Sequence, residues 1–337
     1  MPRFMHLAGR LFKRLLWIAV VFLGITVLSF AVIHLAPGSP TDLETSMNPL
    51  AGAEARERLN KLYGLDQPLH IQYAQWLGRM VRLDFGHSMS GDRRPVWEKI
   101  KERLPLTVGM NVASLFLTLL IAIPIGVIAA YWRGGWFDRI STVFVFIGFA
   151  MPGFWLGLLL MLLLGITWPV LPISGITSLD YDFMNSWEKM LDIASHLVMP
   201  IAIYTFGNLA GMSRFMRSSM LEVLRQDYIF TAKAKGLPTH KVVFKHALRN
   251  ALLPVITLLG LSIPGLIGGS VIIESLFALP GLGQLFYQAV MSRDYTLIMG
   301  NLVLGALLTL AGNILADLAI AMVDPRIKLG KKSGAVQ

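Results

Sequence analysis

Apolar residues occur along most of the chain in stretches long enough to cross a membrane. A helix needs about 20 such residues to cross a hydrocarbon layer of about 30 Å. Six charge-poor stretches come close to or exceed that length, and they lie at 15–36, 104–131, 140–168, 193–216, 255–277 and 297–323. The pattern therefore predicts an all-α integral membrane protein with six transmembrane helices. The first stretch follows a basic start and has an apolar core too long for a signal peptide, so we interpret it as an uncleaved anchor helix.

Basic residues are concentrated on one side of this predicted topology. The segments 1–14, 132–139, 217–254 and 324–337 together hold 17 Lys/Arg and 4 Asp/Glu, whereas 164–195 and 278–296 hold 2 and 5. Short loops rich in Lys and Arg face the cytoplasm. Both termini are therefore predicted to be cytoplasmic, and the 67-residue segment 37–103 is predicted to be an external loop.

The external loop contains two helical patterns. The first ends at Gly64, and the second places apolar residues on one helical face. These residues are Leu69, Tyr73, Trp76, Leu77 and Met80. The second helix either rests on the membrane surface or its own loop, or meets an external partner.

The segment 217–254 contains residues that typically end and begin helices, which a simple tether between two spans would not need. A helix-forming run is followed by Gly236, at a position typical of a left-handed helix end, and a second run follows with Thr239 as a candidate N-cap. Attraction to anionic lipid would explain the charge of this segment. Lipid attraction would not explain why the segment is ordered as a helix, a turn and a second helix. A cytosolic protein partner would account for both the charge and the order.

Composition narrows the class of protein further. Of 337 residues, 55% are hydrophobic and 15% are charged, against about a quarter charged in soluble domains. The net charge of +10 is assigned to membrane topology and not to nucleic acid, and the absence of cysteine excludes disulfides and thiolate chemistry. The chain has no phosphate-binding GxxxxGK[ST] loop, no HExxH motif and no GxSxG elbow. We therefore predict no catalytic site and no metal site.

Several stretches resemble one family. The sequence "DYIFTAKAKGLPTHKVVFKHALRNALLPVI" resembles the cytoplasmic coupling loop of binding-protein-dependent ABC importer permeases of the dipeptide/oligopeptide branch. Agreement extends in order along the chain through "HLAPGSP", "YGLDQPLHIQYAQWL", "DFG", "SRFMRSSMLEVL", "ALPGLGQLF", "RDYTLIMG" and "DPRI". The general Glu-Ala-Ala-xxx-Gly pattern reads Phe230, Thr231, Ala232 and then Gly236 here, so the glutamate and the first alanine are absent.

The resemblance implies a type I importer permease fold, with an anchor helix and external loop at 1–103, a permease core at 104–323 and a cytoplasmic tail at 324–337. It implies a bacterial cytoplasmic membrane, a homologous second permease, two cytosolic ATPase subunits that carry the ATP and Mg, an extracytoplasmic solute-binding protein and surrounding lipid. A coupling helix would insert into an ATPase subunit. The residues implied for that contact are Asp227, Tyr228, Thr231, Ala232, Lys233, Ala234, Lys235, Gly236 and Leu237.

Peptides are the implied substrates, with nickel chelates, glutathione and peptide antibiotics as alternatives within the branch. A stand-alone secondary transporter would call for an inverted repeat, which is not visible in the sequence. An intramembrane enzyme would need a set of catalytic residues, and none is visible in the sequence.

Three Lys, Arg, Asp or Glu residues lie inside the predicted spans, at a cost of about 2.5–3.5 kcal/mol each at mid-membrane. Arg214 is close enough to a cytoplasmic end to extend toward water, and Asp317 suits a structural hydrogen bond between helices. Glu274 either lines a pathway or joins two helices. His34 and His196 have no metal-ligand spacing and are interpreted as interfacial.

Overall fold

The computed structural model describes residues 2–35, 38, 52–266 and 268–323, without the side chains of 2–15, 52–56, 59, 261, 263, 264 and 316–323. Within these ranges the chain is helical, with one isolated β-bridge between His87 and Pro95. The helices are α1 (Pro2–Leu35), α2 (Gly52–Tyr63), α3 (Leu69–Val81), α4 (Val96–Tyr131), α5 (Trp136–Ala150), α6 (Gly153–Leu160), α7 (Ser186–Val223), α8 (Asp227–Ala234), α9 (Leu248–Ser262), α10 (Val271–Leu276), α11 (Leu282–Met291) and α12 (Tyr295–Val323). Two π-helical segments, Met161–Thr167 and Lys241–Ala247, continue α6 and precede α9.

The described residues fall into two compact units, one within 2–105 and 281–310 and the other within 106–280 and 311–323. In the first unit, the predicted loop helices are confirmed as α2 and α3. Gly64 has a φ of 67° and ends α2 as predicted. Trp76 and Met80 of α3 are buried, and the Tyr73 hydroxyl forms a 3.0 Å hydrogen bond with Thr26 of α1. The amphipathic face of α3 therefore rests on its own unit.

The second unit has two apolar clusters. One joins α4 and α7 to α8 and to the start of the next helix, around Met216, Met220 and Ile229. The other surrounds Met199, Ile203 and Phe277. The first cluster supports the predicted coupling segment, and the second supports the short helix α10.

Five described helices are long and apolar enough to cross a membrane, and a bent helix pair makes six if it is counted as one span. The predicted span over 140–168 is a bent helix pair in the structure, since α5 and the helix that begins with α6 meet at 98°. Proline disfavours helical backbone in the residue before it. Met151, which precedes Pro152, accordingly adopts an extended conformation and ends α5.

The predicted fifth span, 255–277, is also corrected. The long apolar helix runs over Lys241–Gly260, and it gives way to a 3₁₀ turn at Ile263–Leu266 before α10 begins. One proline and three glycines fall between residues 264 and 269. Both residue types weaken a helix interior, so the apolar stretch is interrupted although its hydropathy continues.

Candidate functional site

The predicted coupling segment forms a short helix with a defined stop. Helix α8 begins after Gln226, and Asp227 in its first turn complements the positive end of the helix dipole. At the other end, the Gly236 N–H donates to Lys233 O (2.9 Å) and the Leu237 N–H donates to Ala232 O (3.3 Å). These two bonds define a Schellman motif. Gly236 has a φ of 76°, which confirms its predicted left-handed conformation.

The following helix begins differently from the prediction. The backbone N–H groups of Lys241 and Val242 donate to Pro238 O at 2.9 and 3.2 Å. Pro238 therefore holds the cap position, and the expectation of Thr239 as N-cap is wrong. Proline suits this place because it has no N–H to leave unsatisfied and its φ is already compatible with a helix start.

Helix α8 has one buried and one exposed face. Ile229 is fully buried and Ala232 nearly so, and both lie in the cluster that includes Met216 and Val242. Of the predicted coupling residues, Ala232 therefore holds the helix in place and is not available to a partner. Leu237 is partly buried against the same cluster.

The opposite face is open, and we call it the docking face. Its exposed members on α8 and the turn are Asp227, Tyr228, Phe230, Thr231, Lys233, Ala234, Lys235 and Gly236. Phe230 and the nearby Phe244 are 59% and 62% exposed. The Tyr228 hydroxyl accepts a 2.7 Å hydrogen bond from Asn250. Exposed aromatic side chains on a rigid support are typical of protein interfaces.

The intramembrane candidates have different surroundings. Glu274 is fully buried in α10 and accepts a 3.0 Å hydrogen bond from the Thr107 hydroxyl of α4. Arg214 is an exposed residue of α7 and lines a cavity. The side chain of Asp317 lies outside the described residues. The structure therefore gives Glu274 and Arg214 separate surroundings, and it places Glu274 between two helices.

The ion pair between Arg217 and Asp138 was not predicted from the sequence. Arg217 of α7 binds Asp138 of α5 in a bidentate manner, with Nε donating to Oδ1 (2.6 Å) and Nη2 to Oδ2 (2.8 Å). The Gly134 N–H also donates to Asp138 Oδ2 at 2.8 Å. The sequence places both residues in cytoplasmic segments, Asp138 in 132–139 and Arg217 in 217–254, where they contribute only to the predicted topology. They are 79 residues apart, and nothing in their local sequence indicates that they pair.

A polar network in the first unit was also missed. Asp294 is buried, accepts a hydrogen bond from the Ser88 hydroxyl, and accepts another from the Leu297 N–H at 2.9 Å. Lys99 Nζ donates to Ser88 (2.9 Å) and forms a 2.7 Å ion pair with Asp92. Partial desolvation would raise the pKa of Asp92, but hydrogen bonds from Lys99 and Ser90 outweigh it and hold that pKa below its usual value. The network ties the segment after "DFG" to the "RDY" turn.

The two histidines bind backbone carbonyls. The Nδ1 atoms of His34 and His196 lie 2.9 Å from Phe30 O and 2.8 Å from Asp192 O. Among the described residues, no group of three or more His, Asp or Glu side chains is arranged to hold a metal ion.

Comparison with known proteins agrees with this architecture over nearly the whole chain. Residues 122–329 match the family described as "Binding-protein-dependent transport system inner membrane component". Residues 7–111 match the N-terminal model of the corresponding membrane component.

Curated relatives match over a similar extent. The oligopeptide transport system permease protein AppB of Bacillus subtilis (strain 168) is 43% identical over 322 residues, covering 96% of this chain and 100% of the relative. The dipeptide transport system permease protein DppB of Escherichia coli (strain K12) is 35% identical, covering 94% and 97%. The di/tripeptide transport system permease protein DppB of Pseudomonas aeruginosa (strain UCBPP-PA14) is 36% identical, covering 94% and 97%.

The resemblance noted from the coupling segment and its companion motifs is thus confirmed over residues 7–111 and 122–329. An all-α chain with five or six apolar spans carries a short supported helix at the expected place. The chain belongs to the family of binding-protein-dependent transport system inner membrane components.

Proposed function

We propose that this chain is the permease subunit of an ATP-driven importer that translocates di- or oligopeptides across the bacterial cytoplasmic membrane. The observation that carries the proposal is the near full-length similarity to permease proteins whose names specify oligopeptide, dipeptide and di/tripeptide transport. The membrane-spanning fold and the supported helix α8 agree with that role.

The docking face is the proposed contact with a cytosolic ATPase subunit. Helix α8 has eight residues, too few to be stable in water on its own. Burial of Ile229 and Ala232 and the Schellman motif hold it in one orientation. A helix anchored in this way can transmit force to α7 and α9, because a tightly packed interior moves as a unit.

The proposed assembly contains a homologous second permease, two ATPase subunits that bind ATP and Mg, and an extracytoplasmic solute-binding protein. This chain binds no cofactor and hydrolyses no ATP in the proposal. Nucleotide binding would favour one permease conformation and hydrolysis the other, so that the pathway opens to alternate sides. Shifting such an equilibrium needs differential binding of the ATPases to the two states, and the docking face is the proposed place of that difference.

The substrate proposal is tested by uptake. Cells that express the full transporter should accumulate a labelled dipeptide or tripeptide, and deletion of this chain should abolish that uptake. Unlabelled peptides should compete, whereas nickel chelates and glutathione should not. Uptake of a nickel chelate or glutathione with no peptide competition would replace the peptide assignment by one of those alternatives. Uptake that continues without ATP would contradict the importer class itself.

The proposed orientation has a direct test because the chain contains no cysteine. Leu179 is fully exposed in a loop, and Lys235 is exposed at the end of α8. In intact spheroplasts, a membrane-impermeant maleimide should label Leu179→Cys and leave Lys235→Cys unmodified until the membrane is opened. The reverse pattern would invert the proposed topology and would place the docking face outside the cell.

A further inference from the structure

A groove with a volume of about 410 Å³ lies among α4, α5 and α7 in the second unit. Its floor is formed where α4 and α7 come close together. A Cβ atom built on Gly126 would lie 2.6 Å from Met216 Cβ and 2.8 Å from Ser213 O, so only glycine permits this approach. Gly211 also lines the groove, and a Cβ atom there would meet nothing within 4 Å. The groove is thus closed below by tight packing and open on the side of Gly211.

Two arginines border the groove, and only one of them is neutralised. The guanidinium of Arg217 is paired with the Asp138 carboxylate through two hydrogen bonds. Arg214 lies nearly one helical turn earlier on α7 and is exposed. Within the part of the chain that the structure describes, Arg214 has no ion pair or side-chain hydrogen bond. The groove therefore has a surplus positive charge beside it.

Exposed aromatic residues indicate the depth of this charge in the membrane. Tyr131 and Trp132 at the end of α4 and Trp136 at the start of α5 have side chains 45%, 57% and 74% exposed. Tyr and Trp concentrate at membrane–water interfaces. Asp138, the partner of Arg217, follows Trp136 by only two residues, so the arginine end of the groove lies near the lipid headgroups.

The other end of the groove is apolar. Along α5 the lining continues through Val145, Phe146 and Phe149. The distance from Ser141 to Phe149 along the helix is about 12 Å at 1.5 Å per residue, which matches a substantial part of an acyl chain. Phe146 and Phe149 are 61% and 81% exposed, so no described part of this chain covers this end of the groove.

We propose that the groove binds an anionic phospholipid, with its phosphate on Arg214 and one acyl chain along Phe146 and Phe149. The two ends of the groove match the two parts of a phospholipid. The end at headgroup depth carries the cationic Arg214, and the rest of the groove is lined by apolar side chains. Basic pockets between membrane helices bind anionic headgroups. The pairing would also offset the cost of placing Arg214 in a membrane span. The proposal depends on the membrane location of the chain and not on its transported substrate.

Lipid retention by the purified full-length chain tests the proposal. The chain, isolated from membranes with its co-purifying subunits, is exchanged into detergent with equal amounts of phosphatidylglycerol and phosphatidylethanolamine, and bound lipid is measured by native mass spectrometry. Wild type should retain phosphatidylglycerol preferentially. Arg214→Gln should reduce that retention by about fivefold. Arg139→Gln is the matched control, since Arg139 is exposed at the same interface but does not line the groove.

A second pair of variants tests the groove without changing charge. Gly211→Leu should fill the open side of the groove and reduce phosphatidylglycerol retention although both arginines remain. Gly207→Leu, one turn away on α7 and also free of contacts within 4 Å, is outside the lining and should retain lipid normally. Equal retention by wild type, Arg214→Gln and Gly211→Leu would overturn the proposal. Displacement of phosphatidylglycerol by an added short peptide would also overturn it, because the groove would then belong to the substrate pathway.

Discussion

Two short helices of the second unit, α8 and α10, end in the same type of turn but have different surroundings. Each stops with a Schellman motif, closed by Leu237 N–H to Ala232 O (3.3 Å) in α8 and by Leu279 N–H to Glu274 O (2.8 Å) in α10. The left-handed residue is Gly236 (φ 76°) in the first turn and Ala278 (φ 50°) in the second. One helix presents a face to solvent, and the other contributes its polar side chain to the interior.

The difference in residue type follows from the support around each turn. Phe277 and Leu279, on either side of Ala278, are buried to 1% and 0% exposure, and the Phe277 carbonyl accepts a 2.8 Å hydrogen bond from the Gly175 N–H. Such packing can hold an alanine in a conformation that costs about 1–2 kcal/mol. A Cβ atom on Gly236 would contact nothing within 4 Å. The exposed turn therefore depends on the residue itself, whereas the buried turn depends on its neighbours.

The largest effect is expected from Ile229, the buried anchor of α8. Ile229→Ala should lower the free energy of unfolding by about 2–5 kcal/mol, because it leaves a cavity in the cluster under the helix. Phe230→Ala, at the neighbouring exposed position, should change that free energy by no more than about 0.5 kcal/mol. It should instead weaken binding of the ATPase subunit by about tenfold. Thermal unfolding and ATPase pull-down measure the two quantities. An Ile229→Ala chain as stable as wild type would contradict the division of α8 into an anchor and a docking face.

The substitution Gly236→Val should have the next largest effect. A β-branched residue at positive φ costs about 2 kcal/mol or more, and no described atom within 4 Å of a Cβ at this position would hold such a residue in place. The variant should insert into the membrane and lose most ATP-driven uptake. Gly64→Val is the matched control, because Gly64 also has a positive φ (67°), also lacks neighbours within 4 Å, and lies outside α8. Equal loss of uptake in both variants would mean that the effect is general strain and not coupling.

The sequence predicted these two regions unequally, for physical reasons. Gly236 is a local signal, since a glycine after a helix-forming run indicates a left-handed stop, and the structure has it there. The turn at Ala278 has no such signal, because its conformation is imposed by distant packing around Phe277 and Leu279. The helix end at Met151 and the 3₁₀ turn at Ile263–Leu266 were not predicted as breaks, because hydropathy averaged over a span does not register them. Proline and glycine were present at both places.

A buried glutamate distinguishes α10 from α8 and gives a smaller expected effect. We propose that Glu274 joins α10 to α4 through Thr107, and Gln keeps an oxygen that can accept the same hydrogen bond. Glu274→Gln should therefore retain most uptake. Glu274→Ala should lose about 1–3 kcal/mol of stability, because it removes the buried hydrogen bond between α10 and α4. Thermal unfolding and peptide uptake separate the outcomes. Normal stability of Glu274→Gln with selective loss of cationic peptide uptake would instead support the pathway role.

Ala278→Gly should have the smallest effect and tests the comparison most directly. Glycine removes the cost of positive φ, but it also increases the conformational entropy of the unfolded chain. The net result should lie between no change and a stabilisation of about 1 kcal/mol. Ala74→Gly, at an exposed position within α3, should instead destabilise by about 0.5–1 kcal/mol, because a helix interior gains nothing from glycine. Thermal unfolding of the two variants, compared with wild type, shows whether each substitution stabilises or destabilises the protein. If Ala278→Gly were destabilised as much as Ala74→Gly, the left-handed turn at the end of α10 would carry no strain, and the contrast with Gly236 would have to be attributed to exposure alone.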